Sequence, residues 1–187
     1  APRVEDQALV PGAGRFIDDA TASAQAFGCF VRSPHAFARI REIDTSAAAA
    51  MPGVLAIVTG ADVKAAGVGS ASKPPIMDGR NGSKLLVPFR PVLATDRVMH
   101  VGDCVALVVA ETRLAAQDAA ESVMVDYEEF EPAVDLATVG EEGAAQLFPE
   151  VPRNLVFDWT LPAEPDKLAE VDAIVAAAHR TASVRVV

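Results

Sequence analysis

The stretch that decides the fold is residues 100–111, HVGDCVALVVAE. A turn centred on Gly102 leads into a short run of Val, Ala and Leu, and a helix start at Thr112 follows at once. A continuous apolar run between a turn and a helix start is typical of a strand that is buried on both faces. We therefore expect this strand at the centre of a sheet, with the rest of the chain covering it.

The composition of the 187 residues predicts one globular domain, or one domain with an appendage. Hydrophobic residues make up 51% and aromatic residues only 5%, so the core must be built mainly from Ala, Val, Leu and Ile. The net charge of -10 argues against a nucleic-acid surface and against an anionic membrane face. No stretch of the sequence approaches the ~20 apolar residues of a membrane span.

The two cysteines, Cys29 and Cys104, lie in apolar strand-like segments, where we expect buried reduced thiols. Together with three scattered histidines, they do not have the spacing of a zinc or iron–sulfur site. Residues 1–6, APRVED, lack the basic and apolar regions of a secretory signal. These features favour a cytoplasmic location, and a signal removed before residue 1 leaves the periplasm as the open alternative.

The remaining sequence predicts short strands that alternate with short helices. Residues 1–24 are polar and rich in turn formers, which favours an extended arm. We expect further strands at residues 25–31, 38–43, 54–58, 97–100, 124–127, 132–134, 155–161 and 181–187. We expect helices at residues 47–51, 59–67, 112–123 and from 165 onward.

Two helix starts carry clear capping signals. Thr59 and Asp62 have the spacing of a capping box. Thr112 is expected to cap the following helix, whose buried stripe would be Leu114, Ala115, Ala119 and Val123.

Two segments point to contacts outside a simple compact domain. Residues 67–92 form a long Gly-, Pro- and Ser-rich segment, which is either a functional or contact loop or a floppy surface insertion. The sequence ends within the predicted strand 181–187, whose open edge would need a partner. We therefore expect further polypeptide, or another chain, to pair with it.

The histidines are candidates for acid–base chemistry. His35, His100 and His179 each stand alone, without a Ser, Cys or acidic partner at a recognisable spacing. We interpret them as structural. A Ser-His-Asp set, a phosphate-binding loop and a nucleotide fingerprint are all missing from the sequence.

Acidic residues and a turn provide two further candidate sites. Four carboxylates could form a catalytic pair or a cation site, although solvated acids at a strand end explain them more simply: Asp126, Glu128, Glu129 and Glu131. Residues 102–103 form a tight turn, or a backbone nest that presents groups to a cofactor or another domain. From the residues alone, the prediction is an α+β domain that belongs to something larger.

Residues 101–112, VGDCVALVVAET, resemble the pattern VGEPVA-VVAET of the molybdenum hydroxylases. These are relatives of xanthine dehydrogenase, aldehyde oxidase and aerobic carbon monoxide dehydrogenase. Residues 31–38, VRSPHAFA, resemble the family pattern RSPHAHA. Each of the two segments has one departure: Phe37 stands where the family often has a second His, and Cys104, in residues 101–112, stands where it often has Pro. Further similar segments occur in family order, at residues 3–6, 12–19, 52–62, 93–98 and 119–127.

The resemblance implies an α+β fold of the α/β-hammerhead type, with a mixed sheet and flanking helices. This domain, with its N-terminal arm, would occupy residues 1–153, and residues 154–187 would begin the molybdopterin-binding region as strand, helix and strand. The family's complete enzymes hydroxylate aldehydes or N-heterocycles, or oxidise carbon monoxide. Electrons leave the molybdopterin through two 2Fe–2S clusters to FAD, in bacteria usually on small and medium subunits.

The resemblance also implies what this chain does not supply. The family's glycine-rich molybdopterin motifs and catalytic glutamate lie beyond the similar segments, so we expect no catalytic, cofactor-binding or metal-binding residue here and no activity from the chain alone. The expected role is structural, with the rest of the large subunit, the iron–sulfur small subunit and the FAD medium subunit as partners. The alternative is a free-standing module of the same fold that binds a protein or a small ligand.

Four residues are candidates for domain or subunit contacts in such an enzyme: Arg32, His35, Gly102 and Asp103. They lie in predicted turns at strand ends, where a scaffold commonly meets its neighbours. The alternative is that they are ordinary turn and packing residues.

Overall fold

The computed structural model describes residues 3–71, 79–159 and 184–186. The helix predicted from residue 165 lies outside this part of the chain, as do His179 and residues 72–78 of the long loop. Within it, the strands are β1 Phe27–Arg32, β2 Ala38–Asp44, β3 Val54–Thr59, β4 Arg97–Val98, β5 Cys104–Ala110, β6 Met124–Glu129, β7 Phe157–Trp159 and β8 Val184–Val186. The helices are α1 Asp6–Leu9, α2 Ser46–Ala49, α3 Gly60–Ala65 and α4 Arg113–Glu121, with 3-10 turns at Ile17–Asp19, Arg80–Gly82 and Pro152–Asn154.

Strand β5 is the centre of the first sheet, whose order is β1-β5-β3. The prediction of a buried central strand is confirmed, because Val105, Ala106, Val108 and Ala110 have no exposed surface. Both neighbours run antiparallel to β5. Each backbone edge of the apolar run therefore has a hydrogen-bonding partner, as a strand without polar side chains requires.

The second sheet has the order β4-β2-β6 and contains a β-bulge. Ile40 pairs with Tyr127 and Glu42 with Asp126, so Arg41 is the extra residue. An extra residue shifts the alternation of side chains by one position. Ile40 and Ile43, three positions apart, can therefore both pack inward, each against one of two core clusters.

Helix α4 packs on β1 and β5 and begins at the predicted cap. The Thr112 hydroxyl accepts a hydrogen bond of 3.1 Å from the Ala115 amide. The predicted buried stripe is partly wrong: Ala116, Ala119 and Ala120 are buried, whereas Leu114 is 67% exposed. Leu114 lies two residues before Ala116, about 200° around a helix of 3.6 residues per turn. The small alanine side chains instead let the helix lie close to the sheet.

Several other expectations need correction. The N-terminal arm contains the helical turn α1 rather than being wholly extended, and the Asp6 carboxylate accepts the Arg3 amide at 2.9 Å. No strand forms at residues 132–134; instead, the Asp135 carboxylate accepts the Ala137 amide at 2.9 Å and closes a turn. Cys29 and Cys104 are free thiols but only half-buried.

The strand directions and the predicted C-terminal edge also differ from expectation. The α+β class is confirmed, but every strand pairing in the described part of the chain is antiparallel rather than mixed. Strand β8 pairs with β7 of the same chain, which supplies a partner for one edge of the terminal strand. None of the helices in residues 3–71 and 79–159 has the length and hydrophobicity to cross a bilayer.

Candidate functional site

Two turns meet where β1 ends and β5 begins. We call residues 32–35 the RSPH turn and residues 100–103 the HVGD turn. The Ser33 amide donates to the Asp103 carbonyl at 2.9 Å, and the Gly102 amide donates to the Ser33 carbonyl at 2.8 Å. These reciprocal bonds follow from the antiparallel pairing of β1 with β5, which places Arg32 opposite Cys104.

The Arg32 side chain ties the two turns together from the outside. Its Nη1 donates to the Gly102 carbonyl at 2.8 Å, and its guanidinium lies 5.6 Å from the centroid of the Phe30 ring. Gly102 has a φ of +87°, a conformation that L-residues with a side chain rarely adopt. The glycine therefore sets the turn that directs its carbonyl toward Arg32.

The Asp103 side chain closes the HVGD turn. One carboxylate oxygen accepts the Met99 amide at 3.0 Å, and the other lies 3.8 Å from His100 Nε2. The same His100 nitrogen lies 3.4 Å from the Arg90 guanidinium. His100 therefore has an acidic partner, which its position in the sequence did not reveal.

His35 is anchored at the other end of the cluster. Its amide donates to the Ser33 hydroxyl at 3.0 Å, its Nδ1 lies 3.4 Å from Glu129, and its ring lies 4.8 Å from the Tyr127 ring. The structure thus brings all four candidate contact residues, Arg32, His35, Gly102 and Asp103, into one cluster. Their contact with another domain stays a prediction.

Ser33 and Tyr127 complete the cluster and were missed from the sequence. Ser33 is only 2% exposed, although it lies in a turn between a charged residue and a proline. Burial raises the pKa of Tyr127, and the negative charge of Asp103 raises it further, against an opposing effect of the Ser33 hydroxyl. The sole tyrosine of the chain is a signal that could have drawn attention to this position.

We expect the Tyr127 phenol to titrate above its ordinary pKa of 10.0. Because the chain has one tyrosine, the phenolate absorbance near 295 nm reports this group alone. Since the folded pKa is raised, the free energy of unfolding should fall as the pH rises through this range. Asp103→Asn should lower the titration midpoint, while Asp18→Asn in the N-terminal arm should leave it unchanged. Equal midpoints in all three proteins would contradict the electrostatic link between Asp103 and Tyr127.

Two of the four acidic residues near β6, Glu128 and Glu129, lie beside basic side chains. Glu128 lies 3.4 Å from Arg39 and 3.5 Å from Arg41. In the residues that the structure describes, no three His, Cys, Asp or Glu side chains converge where they could hold a metal ion.

Large apolar side chains remain exposed on three segments outside the two core clusters. They lie in the N-terminal arm, in the loop before β4 and after β6: Val4, Leu9, Val10, Phe16, Ile17, Leu86, Val87, Phe89, Val92, Val134 and Leu136.

Comparisons with known proteins identify the domain type. Residues 11–131 match the sequence model of the aldehyde oxidase and xanthine dehydrogenase a/b hammerhead domain. The chain is 41% identical over 134 residues to the nicotine 6-hydroxylase large subunit of Paenarthrobacter nicotinovorans, covering 72% of this chain and 16% of that protein. It is 42% identical over 133 residues to the carbon monoxide dehydrogenase large chain of Afipia carboxidovorans, covering 71% and 15%.

A solved structure supports the same conclusion about the fold. The Cu,Mo-CO dehydrogenase in its carbon monoxide reduced state matches with a TM-score of 0.72 and 34% identity, over 91% of this chain and 22% of that one. The hammerhead prediction is thereby confirmed, and the comparisons give no support to a free-standing module. The chain spans only about a sixth of the length of the relatives described above.

Proposed function

This chain belongs to the aldehyde oxidase and xanthine dehydrogenase family as its a/b hammerhead domain, and we propose that it is the N-terminal assembly domain of a molybdenum hydroxylase large subunit. The proposed enzyme oxidises an aldehyde, an N-heterocycle or carbon monoxide in the cytoplasm. The molybdopterin belongs to the rest of the large subunit in this proposal. The iron–sulfur clusters and FAD belong to small and medium subunits.

The observation that carries this proposal is the similarity to large subunits of nicotine 6-hydroxylase and carbon monoxide dehydrogenase. The exposed apolar side chains support it, because an assembly domain needs surface that is buried only in the complex. The proposed domain boundary places the hammerhead domain with its arm at residues 1–153, and the start of the molybdopterin-binding region at 154–187.

We propose that the RSPH and HVGD turns form part of the contact between this domain and the rest of the enzyme. Their backbone atoms are fixed by reciprocal hydrogen bonds, so the exposed Arg32 guanidinium is presented from a rigid base. A preorganised side chain loses little conformational freedom when a partner binds. This favours a contact role for the two turns.

The test is Arg32→Ala in the complete enzyme, with Arg113→Ala as the matched control. Both guanidinium groups lie over a β1 phenylalanine, Arg32 over Phe30 and Arg113 over Phe27. We expect Arg32→Ala to lower the yield of assembled enzyme in size-exclusion chromatography several-fold, with the substrate preference of the assembled fraction unchanged. Arg113→Ala should assemble normally. Normal assembly with altered substrate preference in Arg32→Ala would contradict the contact role.

A second measurement separates an enzyme part from an independent catalyst. The purified 187-residue chain should not reduce a dye acceptor with aldehydes, purines or carbon monoxide, whereas the complete enzyme should do so with its own substrate. Turnover by the chain alone would refute the assignment of the chemistry to other domains.

A further inference from the structure

A cleft of about 580 Å³ opens beside the HVGD turn. Its lining comes from β2, from residues 95–99 and Asp103, and from the segments 89–91 and 147–149. This volume lies in the range of small-molecule sites. Most of its lining residues lie outside the RSPH and HVGD turns, although Asp103 belongs to the HVGD turn and Phe89 is one of the exposed apolar side chains described above.

Two arginines face each other across the strands of this cleft. Arg39 of β2 is directly opposite Arg97 of β4 in the antiparallel register. Like charges directly opposite each other destabilise a sheet unless another group compensates for them. The Phe130 ring contacts both, with its centroid 5.7 Å from the Arg39 guanidinium and 5.8 Å from that of Arg97.

The two arginines differ in their acidic partners. Arg39 has Glu128 at 3.4 Å. Among the described residues, Arg97 has no carboxylate within 4.0 Å, although it is only half-exposed. A third guanidinium, that of Arg90, lines the same cleft and contacts His100 rather than an acid.

The carboxylates of the cleft are already engaged by other groups. Asp103 accepts the Met99 amide at 3.0 Å, and Asp96 accepts the Thr95 hydroxyl at 3.2 Å. Three guanidinium groups and two carboxylates therefore line a cleft in a chain whose net charge is -10. Glu128 offsets the charge of Arg39, so among the described residues Arg97 and Arg90 are the guanidinium groups of the cleft without a carboxylate partner.

Apolar side chains also line the cleft. Phe89, which is 59% exposed, lies there with Leu147, Phe148 and two prolines. An exposed phenylalanine next to unpaired guanidinium groups fits a ligand that has both an anionic and an apolar end.

We propose that this cleft binds a small organic anion. Its carboxylate or phosphate group lies against Arg97 and Arg90, and its apolar body lies against Phe89 and Phe148. The anion compensates for the charge of Arg97, whereas Glu128 already offsets that of Arg39. Asp103 of the HVGD turn also lines this site, but the binding of an anion does not depend on a contact role for the turns.

The test is isothermal titration of the purified protein with 1-naphthoate and 1-naphthyl phosphate. Inorganic phosphate serves as the probe without an apolar body, and neutral 1-naphthalenemethanol as the probe without a charge. We expect at least one naphthyl anion to bind at least tenfold more tightly than either of these two probes, and the tighter anion identifies the preferred group. No binding of either anion, or equal binding of inorganic phosphate, would overturn the proposal.

Variants locate the binding within the cleft. Arg97→Gln should weaken binding of the naphthyl anion about tenfold or more, since a charge-assisted hydrogen bond contributes about 1.5–3 kcal/mol. Phe89→Ala, which removes an exposed side chain of the cleft, should weaken it without unfolding the protein. Arg41→Gln is the control. Arg41 lies on β2 and pairs with Glu128, but it does not line the cleft. Equal weakening by Arg41→Gln would show nonspecific charge binding and overturn the proposal.

Discussion

Replacing Gly60 by Ala is expected to lower the free energy of unfolding by about 3 kcal/mol, at the upper end of the usual cost of overpacking a core. Gly60 is buried at the first position of α3. An added Cβ would collide with the Ala94 carbonyl oxygen, and it would lie 2.8 Å from the Ala94 carbonyl carbon and 3.0 Å from the Leu93 carbonyl oxygen. All three obstacles are backbone atoms, which cannot rotate away as a side chain can.

The obstructing backbone is itself held in place. The Ala94 amide donates to the Cys104 carbonyl at 2.7 Å, at the start of the central strand. Leu93 and Ala94 are buried, with 3% and 2% of their surface exposed. Any shift that relieves the collision must therefore move α3 away from the sheet or distort the entry to β5. This coupling makes a single methyl group costly, even though Ala favours helices more than Gly does.

The matched control is Gly69→Ala, since an added Cβ at Gly69 would meet nothing within 4 Å. Its unfolding free energy should stay within about 0.5 kcal/mol of the parent, as for most surface substitutions. Both variants are compared by urea unfolding followed by circular dichroism. If Gly60→Ala were as stable as Gly69→Ala, the close packing of α3 against residues 93–94 would be wrong.

Local signals predicted the central strand and its helix because their causes lie within a few residues. The apolar run of β5 has no polar side chain to expose, so its position inside a sheet follows from composition alone. The capping box before α3 is confirmed, since the Asp62 carboxylate accepts the Thr59 amide at 2.7 Å. Hydrogen bonds from the Thr59 amide and the Thr59 hydroxyl lower the pKa of Asp62.

Features that depend on distant partners could not be predicted in this way. The bulge at Arg41 is defined by the register with β6, which is more than 80 residues away along the chain. Leu114 fits a helical stripe by spacing but faces away from the sheet, because the orientation of α4 is set by its alanines. Both outcomes are decided by tertiary packing.

The candidate site likewise combines residues that the sequence singled out with contacts that depend on distant partners. Family resemblance singled out Arg32 and Gly102, but nothing in either turn indicates that the Arg32 side chain donates to a carbonyl 70 positions away. The antiparallel pairing of β1 with β5 creates that contact. Once this pairing is known, the meeting of the two turns follows directly from the geometry of the sheet.

Asn154 is the structural residue that sequence reasoning missed most clearly. It is 5% exposed and has a φ of +54°. Its side-chain amide donates to the Val139 carbonyl at 3.0 Å and to the Ala145 carbonyl at 2.8 Å, and its carbonyl oxygen accepts the Leu147 amide at 2.9 Å. One side chain thus replaces the regular backbone hydrogen bonds that this segment lacks.

Asn154→Ala is expected to lower the free energy of unfolding by about 3 kcal/mol, because buried groups left without a hydrogen-bond partner cost about 1–3 kcal/mol each. Asn81→Ala is the matched control, since Asn81 has nearly the same φ of +57° but is exposed. It should show the cost of the left-handed backbone alone. Equal losses in the two variants would mean that the Asn154 hydrogen bonds add nothing to stability.

Asn154→Asp separates the donor role of the side chain from its size. The introduced group can still accept the Leu147 amide, but its second oxygen faces two carbonyl oxygens. Its pKa in the folded protein should therefore be raised, so this variant should lose stability relative to the parent as the pH rises from 4 to 7. Because residues 147–149 line the same cleft as the arginines, the same variant should weaken binding of the naphthyl anion at pH 7 more than at pH 5. Binding unaffected by a destabilised segment would show that this segment does not contribute to the anion site.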